Sequence, residues 1–396
     1  MKNTHIAFVS FPHPPHVNPT LPIVSVLVRR GYRVSYATSD VFAARVSELG
    51  ATVVPFPRFI LGALSDEKAD AEEGHEESFI HFIAQTVSEI TRGFEGDRPD
   101  LIIYDFMAFA GRILAHRWNI PAIQTSPSFA MDEDNFSQQV KDPEFRQQLL
   151  QGCESVGKIL EPYGVTGSSF RFDKEKLNIY LFPKALQPKG DVFGQNCFYA
   201  GRCAGEQLIY GDWRKKSTVD RPIAFVATST TYVRGPEFFR TCIEALAGLQ
   251  WHVILSIGDS GDAGSLMPLP PHFEIVQHNS HIQILRHASL FICLGGIITT
   301  SEAAYHGVPL IVTTHGFPEL EWQADNIESL GLGVHLMKSE TTVESIRKSA
   351  IHVSQDTAIH NRVRQMQRAV RREPGAEETA NRIEEYLEAH TPGLIS

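Results

Sequence analysis

Short apolar runs alternate with amphipathic segments throughout the first half of the chain. The apolar runs predict strands at residues 5–11, 33–38, 52–56, 101–104 and 121–125. The segments between them carry helical periodicity and predict helices at residues 19–30, 41–49 and 108–118. Strands that are joined through helices favour right-handed crossovers, so these elements predict a parallel sheet.

The same alternation restarts in the second half, with predicted strands at residues 223–227, 252–257, 273–276, 290–293 and 310–313. Between the halves, residues 183–221 hold several Pro, Gly and charged residues, which favours an interdomain crossing there. We therefore predict an α/β protein of two doubly wound Rossmann-like domains, at residues 1–205 and 206–375. A last helix, 376–396, is predicted to pack back on the first domain, and a Gln-rich helical stretch, 131–163, to cover the carboxyl edge of its sheet.

The composition is typical of a globular protein that does not bind nucleic acid. Hydrophobic residues make up 42% of the 396 residues, as in globular proteins. The net charge is -10, whereas binding to nucleic acid phosphates requires a basic surface. Five cysteines without a Cys-x-x-Cys pair argue against a disulfide framework and favour a reducing cytoplasm. No apolar run is long enough to predict a transmembrane helix or a signal peptide. The oligomeric state stays open, a homodimer included.

Two polar residues follow strands that are predicted to share one sheet. His16 lies in the loop after the first strand, and Asp105 ends the strand that begins at residue 101. The carboxyl ends of parallel strands meet at the edge where such domains hold ligands. An imidazole titrates near neutral pH, so His16 is a candidate general base, and Asp105 is a candidate partner that orients it and stabilises its cation.

A structural interpretation of the same residues is also open. His16 would then pack within its loop, and Asp105 would cap the helix that follows it. A zinc site at His13 and His16 is disfavoured because the third and fourth ligands are missing, and we predict no metal.

Segments 8–21 (FVSFPHPPHVNPTL) and 101–121 (LIIYDFMAFAGRILAHRWNIP) resemble the macrolide and UDP-glycosyltransferase family, which has the GT-B fold. The resemblance implies two facing Rossmann-like domains and transfer of a sugar from a nucleotide to an acceptor hydroxyl with inversion. It implies that His16 deprotonates the acceptor and that Asp105 supports His16. Pro15 stands where the family usually has glycine, which stiffens the loop without removing the base.

Segment 291–309 (FICLGGIITTSEAAYHGVP) resembles the donor-binding signature of the same family, a strand followed by a Gly-rich turn and a helix. A helix N-terminus holds a diphosphate through free backbone N–H groups and its dipole, without a metal. Glu302 matches the acidic residue that holds the nucleotide ribose. The full nucleotide-sugar site implied by the resemblance comprises Ser229, Thr230, Gly295, Gly296, Thr299, Thr300, Glu302 and Gln323.

The sequence departs from the family where the nucleotide is expected. Leu294 replaces the histidine that contacts the diphosphate, Ser229-Thr230 replaces a Gly-Thr turn, and Ser280-His281 replaces the Pro-Gln pair that frames the base. A charge-assisted hydrogen bond contributes about 1.5–3 kcal/mol, so losing the histidine alone predicts about a tenfold to hundredfold loss of donor affinity. His281 and His315 are candidate replacements.

The predicted sugar contacts depart from the family as well. The family pairs an acidic residue with Gln and places Asn three residues later, a spacing that falls on Trp322-Gln323 and Asn326. Trp322 cannot accept hydrogen bonds from sugar hydroxyls. Glu319 or Glu321 would substitute for the acid if the loop is shifted.

Three functions remain open on the sequence. The first is an inverting O-glycosyltransferase that acts on an apolar small molecule (a polyketide, a macrolide or another secondary metabolite), with a UDP- or dTDP-sugar as co-substrate and no cofactor. The second is a repurposed homologue that uses no nucleotide sugar and applies the His16–Asp105 pair to dehydration, isomerisation or cyclisation. The third is a non-catalytic helper protein. We place the first ahead.

Overall fold

A computed structural model describes residues 4–57, 72–131, 136, 140, 142–165, 175–203, 213–216, 219–228, 234–258, 261–276, 281–314 and 316–390, with the backbone alone for 72–78. The chain forms two compact units. The first comprises Met1–Phe182, Lys189–Ala204 and Pro374–Ser396, and the second comprises Pro183–Pro188 and Gly205–Glu373. Pro183–Pro188, which the sequence analysis assigns to the first domain, thus belong to the second unit.

The first unit is built on a seven-stranded parallel sheet. Its strands are β1 (His5–Val9), β2 (Arg33–Thr38), β3 (Thr52–Pro55), β4 (Leu101–Asp105), β5 (Ala122–Ser126), β6 (Asn178–Tyr180) and β7 (Cys197–Tyr199). They lie in the order β3-β2-β1-β4-β5-β6-β7, and each neighbouring pair is parallel. The order reverses between β1 and β4, and ligands of such sheets bind outside the carboxyl ends of the strands at this switch point.

The second unit is built on a six-stranded parallel sheet of the same design. Its strands are β8 (Ile223–Ala227), β9 (His252–Ser256), β10 (Phe273–Val276), β11 (Ala288–Cys293), β12 (Leu310–Thr313) and β13 (Gly333–Leu336). The order is β10-β9-β8-β11-β12-β13, so the switch point lies between β8 and β11. The two sheets confirm the predicted pair of doubly wound, Rossmann-like α/β domains.

Helices connect the strands in both units. In chain order they are α1 (Pro14–Val17), α2 (Leu21–Arg29), α3 (Asp40–Glu48), α4 (Glu72–Gly93), α5 (Phe109–Trp118), α6 (Pro143–Leu160), α7 (Pro236–Leu246), α8 (His281–Leu285), α9 (Ile297–His306), α10 (Pro318–Ser329), α11 (Val343–Gln355), α12 (Thr357–Val370) and α13 (Ala376–His390). Across the ranges that the structure describes, none of them is both long and apolar enough to cross a membrane.

Helices cover both faces of the first sheet. Apolar side chains of α4 and α5 join the core on one face, with Ile90 and Ile113 fully buried there. Helix α13 packs on α2, where Arg30 forms ion pairs with Glu377 and Glu384. Leu387 of α13 is fully buried, so the last helix belongs to the core of the first unit.

Hydrogen bonds within the second unit hold the segment Pro183–Pro188 in place. The carboxylate of Glu373 accepts the N–H groups of Lys184 and Ala185, and Asn326 Nδ2 donates to the Leu186 carbonyl at 2.8 Å. Burial raises the pKa of the Glu373 carboxyl. One carboxylate, at the last residue of the second unit, therefore holds the segment Pro183–Pro188 to that unit.

Several element bounds differ from the sequence-based predictions. Strand β1 ends at Val9 rather than at residue 11, because Pro12 has no N–H group and the His13 N–H turns back to the Phe11 carbonyl at 2.7 Å. Strands β6, β7 and β13 were not predicted, since three residues of β6 and β7 carry too short a pattern and the apolar run of β13 (GVHL) is broken by a glycine and a histidine.

Candidate active site

His16 and Asp105 meet at the switch point of the first sheet. The register that pairs Val9 with Tyr104 brings the loop after β1 beside the end of β4. His16 Nδ1 lies 2.8 Å from Asp105 Oδ2, and Asp105 Oδ1 accepts the Met107 N–H at 2.9 Å. The side chain of Asp105 is 0% exposed and that of His16 is 14% exposed. Among the described residues no hydrogen bond engages His16 Nε2, which leaves this nitrogen open to a substrate.

Hydrogen bonds from the loop itself fix the position of His16. The Thr20 hydroxyl donates to the Val17 carbonyl at 2.8 Å and so accepts from the Tyr36 hydroxyl at 2.6 Å. Burial raises the pKa of the Tyr36 phenol, which therefore remains a neutral donor. Asn18 Oδ1 accepts a hydrogen bond from Arg45 at 3.0 Å. These contacts anchor the residues directly after α1, the helix that carries His16.

Aromatic rings surround the His16 imidazole. The Phe106 ring stacks on it with centroids 6.0 Å apart, and the Phe11 and His13 rings meet it edge-on at 5.4 and 6.1 Å. Burial, together with the neighbouring His16, lowers the pKa of His13 to about 4, so His13 is neutral at physiological pH. The surroundings of His16 are thus apolar and carry no competing positive charge from His13.

The Gly-rich turn after β11 has a backbone conformation that lets a ligand approach the main chain closely. Gly295 has φ of +82°, and a Cβ atom there would lie 2.5 Å from Val312 Cγ1. Gly296 precedes the first residue of α9, and no atom of the described residues would lie within 4 Å of a Cβ there. The free N–H groups at the start of α9 therefore border open space at the switch point of the second sheet.

The polar residues of α9 divide into inward and outward positions. Thr300 is buried, and its hydroxyl donates to the Gly295 carbonyl at 3.1 Å, so it stabilises the turn rather than offering a donor to a ligand. Thr299 and Glu302 are both half-buried. Of the two threonines predicted to contact a diphosphate, only Thr299 keeps that assignment as a candidate.

The predicted sugar contacts lie on α10. Gln323 is 5% exposed, and in the part of the chain that the structure describes its buried Oε1 has no hydrogen-bond partner. Asn326 uses its amide for the Leu186 carbonyl, and Glu321 pairs with His335 Nε2 at 2.9 Å and accepts the Gly316 N–H. Asn326 and Glu321 thus serve the fold, whereas the orphaned Gln323 acceptor suits a ligand hydroxyl. Trp322 and Glu319 are half-buried.

The structure describes only some of the other residues that the sequence predicts to lie near the nucleotide sugar. Ser229, Thr230 and His315 lie outside the described residues. Leu294 is buried at the end of β11, and the His281 ring packs edge-on against Phe225 with centroids 5.3 Å apart. Within the described ranges, no group of three His, Cys, Asp or Glu side chains is placed to hold a metal ion.

Sequence reasoning did not single out Arg234, which lies between β8 and α7 at the same sheet edge. It is 7% exposed, and its Nη2 donates to the carbonyls of Thr313 and Thr314 at 2.6 and 2.7 Å. Its guanidinium lies 4.4 Å from the centroid of the Phe238 ring. The sequence did contain a signal for it, namely a positively charged residue just before a helix, in the loop that follows the first strand of the second half.

Known proteins resemble this chain over nearly its whole length. Residues 240–386 match the family described as erythromycin biosynthesis protein CIII-like, C-terminal domain. The chain is 32% identical to NDP-glycosyltransferase YjiC of Bacillus licheniformis, covering 98% of both, and 30% identical to demethyllactenocin mycarosyltransferase of Streptomyces fradiae, covering 97% of this chain and 86% of that one. The crystal structure of CalG4, the calicheamicin glycosyltransferase, matches with a TM-score of 0.82 at 30% identity, covering 99% of this chain and 100% of that one.

Proposed function

Since this chain belongs to the UDP-glycosyltransferase family and has its GT-B fold, we propose that it transfers a sugar from a UDP- or dTDP-sugar to a hydroxyl group of an apolar small molecule, with inversion. The observation that carries this proposal is the hydrogen bond of 2.8 Å between His16 Nδ1 and Asp105 Oδ2 at the switch point of the first sheet. Enzymes of this family use nucleotide sugars as co-substrates, and no cofactor is required for the chemistry.

The His16–Asp105 pair supplies the acid/base chemistry. Asp105 accepts a hydrogen bond from Nδ1–H, which leaves the Nε2 lone pair to take the proton of the acceptor hydroxyl. As that proton leaves, the acceptor oxygen forms a bond to the anomeric carbon while the bond to the diphosphate oxygen breaks. The electron pair of the broken bond departs with the nucleoside diphosphate, and the proton stays on His16 beside the Asp105 carboxylate.

The second unit supplies the groups that suit a nucleotide sugar. The free N–H groups at the start of α9 and the helix dipole attract the diphosphate, and Gly295 and Gly296 allow its close approach. Glu302 is assigned to the ribose and Thr299 to the diphosphate. The unpartnered Oε1 of Gln323 accepts a hydrogen bond from a sugar hydroxyl.

An apolar acceptor suits the surroundings of the base. Phe11 and Phe106 flank His16, and His13 stays neutral beside it. A macrolide or another secondary metabolite buries apolar surface against such rings, while one hydroxyl reaches Nε2. The similarity to demethyllactenocin mycarosyltransferase supports the same class of acceptor.

Leu294 favours a second candidate function. A buried leucine occupies the position where the family places the diphosphate-binding histidine, and Trp322 replaces the acid that grips the sugar. A homologue without a nucleotide sugar would apply the His16–Asp105 pair to dehydration, isomerisation or cyclisation of the same class of metabolite.

A coupled binding and transfer experiment separates these functions. The purified protein is titrated with UDP, dTDP and GDP, then incubated with the matching sugars and a panel of macrolide and phenolic acceptors. We expect one nucleotide to bind and mass spectrometry to detect a glycoside whose anomeric configuration is inverted. A glycoside formed at full rate by His16→Ala would refute the role of His16. A folded protein that binds none of the nucleotides would favour the second candidate function. If His16→Ala also leaves the activity unchanged, a non-catalytic helper would be favoured instead.

A further inference from the structure

Arg234 carries a buried positive charge that no described carboxylate neutralises. Within the described part of the chain no carboxylate forms an ion pair with it, and its Nε is buried without a hydrogen-bond partner. Burial lowers the pKa of its guanidinium to about 10, which leaves the group charged at neutral pH. A charge removed from water without a counter-ion is unfavourable, so this position calls for an anion.

The surroundings of Arg234 locate that anion. Its Nη2 is hydrogen-bonded to the carbonyl of Thr313, the last residue of β12. The register pairs Cys293 of β11 with Val312 of β12, so Leu294 is level with Thr313. Neighbouring strands lie about 4.8 Å apart, which places the guanidinium close to the turn at Leu294 and Gly295, directly before α9.

Two independent features thus favour negative charge at one edge of the second sheet. One is the start of α9, with free N–H groups beside Gly295 and Gly296. The other is the buried Arg234, held in place by two backbone carbonyls and by the Phe238 ring. We propose that Arg234 provides the cationic contribution to binding of the donor diphosphate, in place of the histidine that Leu294 has replaced.

This assignment rests on the proposed function, and it explains how a chain with Leu294 keeps a donor site. A histidine contributes to the diphosphate only in part as a cation near neutral pH, whereas an arginine remains charged throughout. The positive charge comes from the loop after β8 instead of the turn after β11. Strands β8 and β11 both end at the same switch point, so moving the positive charge from one loop to the other requires no change in the sheet.

Calorimetric titration of Arg234→Gln with UDP and with uridine tests the proposal. Glutamine keeps an N–H donor for the Thr313 carbonyl but removes the charge. We expect UDP to bind about tenfold to a hundredfold more weakly, with the affinity for uridine unchanged. Arg240→Gln is the matched control, since Arg240 is an exposed arginine of α7 paired with Glu237, and it should bind UDP within about twofold of the wild type.

Each other outcome counts for or against the proposal. An equal loss of affinity for UDP and uridine, or no loss in a folded Arg234→Gln variant, would overturn it. If wild-type protein binds neither UDP nor dTDP, the proposed function fails and the assignment fails with it, a result distinct from normal binding by the variant. If Arg234→Gln does not fold, Arg234→Met, which also removes the charge, decides: a loss for UDP alone supports the proposal, and a parallel loss or no loss overturns it.

A second variant separates a charge effect from a structural one. Adding Leu294→His to Arg234→Gln returns an imidazole to the level of Thr313 on the neighbouring strand. We expect the double variant to recover at least threefold in UDP affinity below pH 6.5, where an ordinary imidazole is protonated. An Arg234 that only braced the end of β12 would not be rescued in this way.

Discussion

Replacing Asp105 with asparagine tests the charge of this carboxylate with little change in its shape. Asp105 is fully buried, with one oxygen 2.8 Å from His16 Nδ1 and the other accepting the Met107 N–H. The asparagine carbonyl oxygen can keep the contact with Met107, which preserves the turn at the end of β4. Its amide group then faces Nδ1 with no negative charge.

The size of the effect follows from the buried geometry. Two unit charges about 4 Å apart interact by about 4 kcal/mol at an effective dielectric constant of 20. The imidazolium forms only as the acceptor loses its proton, so this attraction stabilises the transition state rather than the bound substrate. His16 is 14% exposed, and partial screening leaves about 2–4 kcal/mol. We therefore expect Asp105→Asn to lower kcat by about 30-fold to 1000-fold.

Initial rates with varied donor and acceptor concentrations measure this loss. We expect kcat to fall while the KM for the nucleotide sugar stays within about threefold, because Asp105 does not contact the donor. Asp97→Asn is the matched control, since Asp97 is an exposed aspartate of the same unit that pairs with Arg33, and it should leave kcat unchanged. A folded Asp105→Asn variant that keeps more than a third of the wild-type kcat would refute the charge argument.

Three further predictions follow. Gly295→Ala should destabilise the protein by about 2–4 kcal/mol, because φ at Gly295 is +82° and the new Cβ would clash with Val312. Gly296→Ala should destabilise it by less than about 1 kcal/mol, and thermal unfolding of both variants measures the difference. Gln323→Ala should raise the KM for the nucleotide sugar about tenfold while UDP binds as before, and an equal loss for both would contradict the sugar contact. Burial lowers the pKa of His13 to about 4 in the folded state, against an ordinary 6.5, so the unfolded state binds a proton first as the pH falls. Up to about 3 kcal/mol of the free energy of unfolding that is present above pH 6.5 should therefore be lost as the pH falls towards 4. Urea unfolding of His13→Asn at both pH values should not show this loss.

The sheets could be predicted from the sequence because buried parallel strands carry strong local patterns. Strand β2 and strands β8, β10 and β12 begin and end where the apolar runs predict. The proximity of His16 to Asp105 also follows from the pattern, since His16 follows and Asp105 ends two strands that lie side by side in a doubly wound sheet.

Other parts of the site depend on contacts between residues distant in sequence. No local pattern shows that the Thr300 hydroxyl turns inward to the Gly295 carbonyl, or that the Asn326 amide is used by Leu186. The position of Arg234 likewise depends on the end of β12, about 80 residues later in the chain. Such side chains can be assigned to a face or an edge from the sequence, but their partners cannot.

The path of the chain through the two units has a consequence for its synthesis. The second unit draws on Pro183–Pro188 and Gly205–Glu373, whereas the first also needs Pro374–Ser396. Because Leu387 and Ile383 of α13 are buried in the first unit, the ribosome must synthesise the chain through residue 387 before that unit can close its core. Of the two units, the one whose first residues are synthesised earlier is therefore completed later, and the surface beside α2 stays uncovered until α13 has been synthesised.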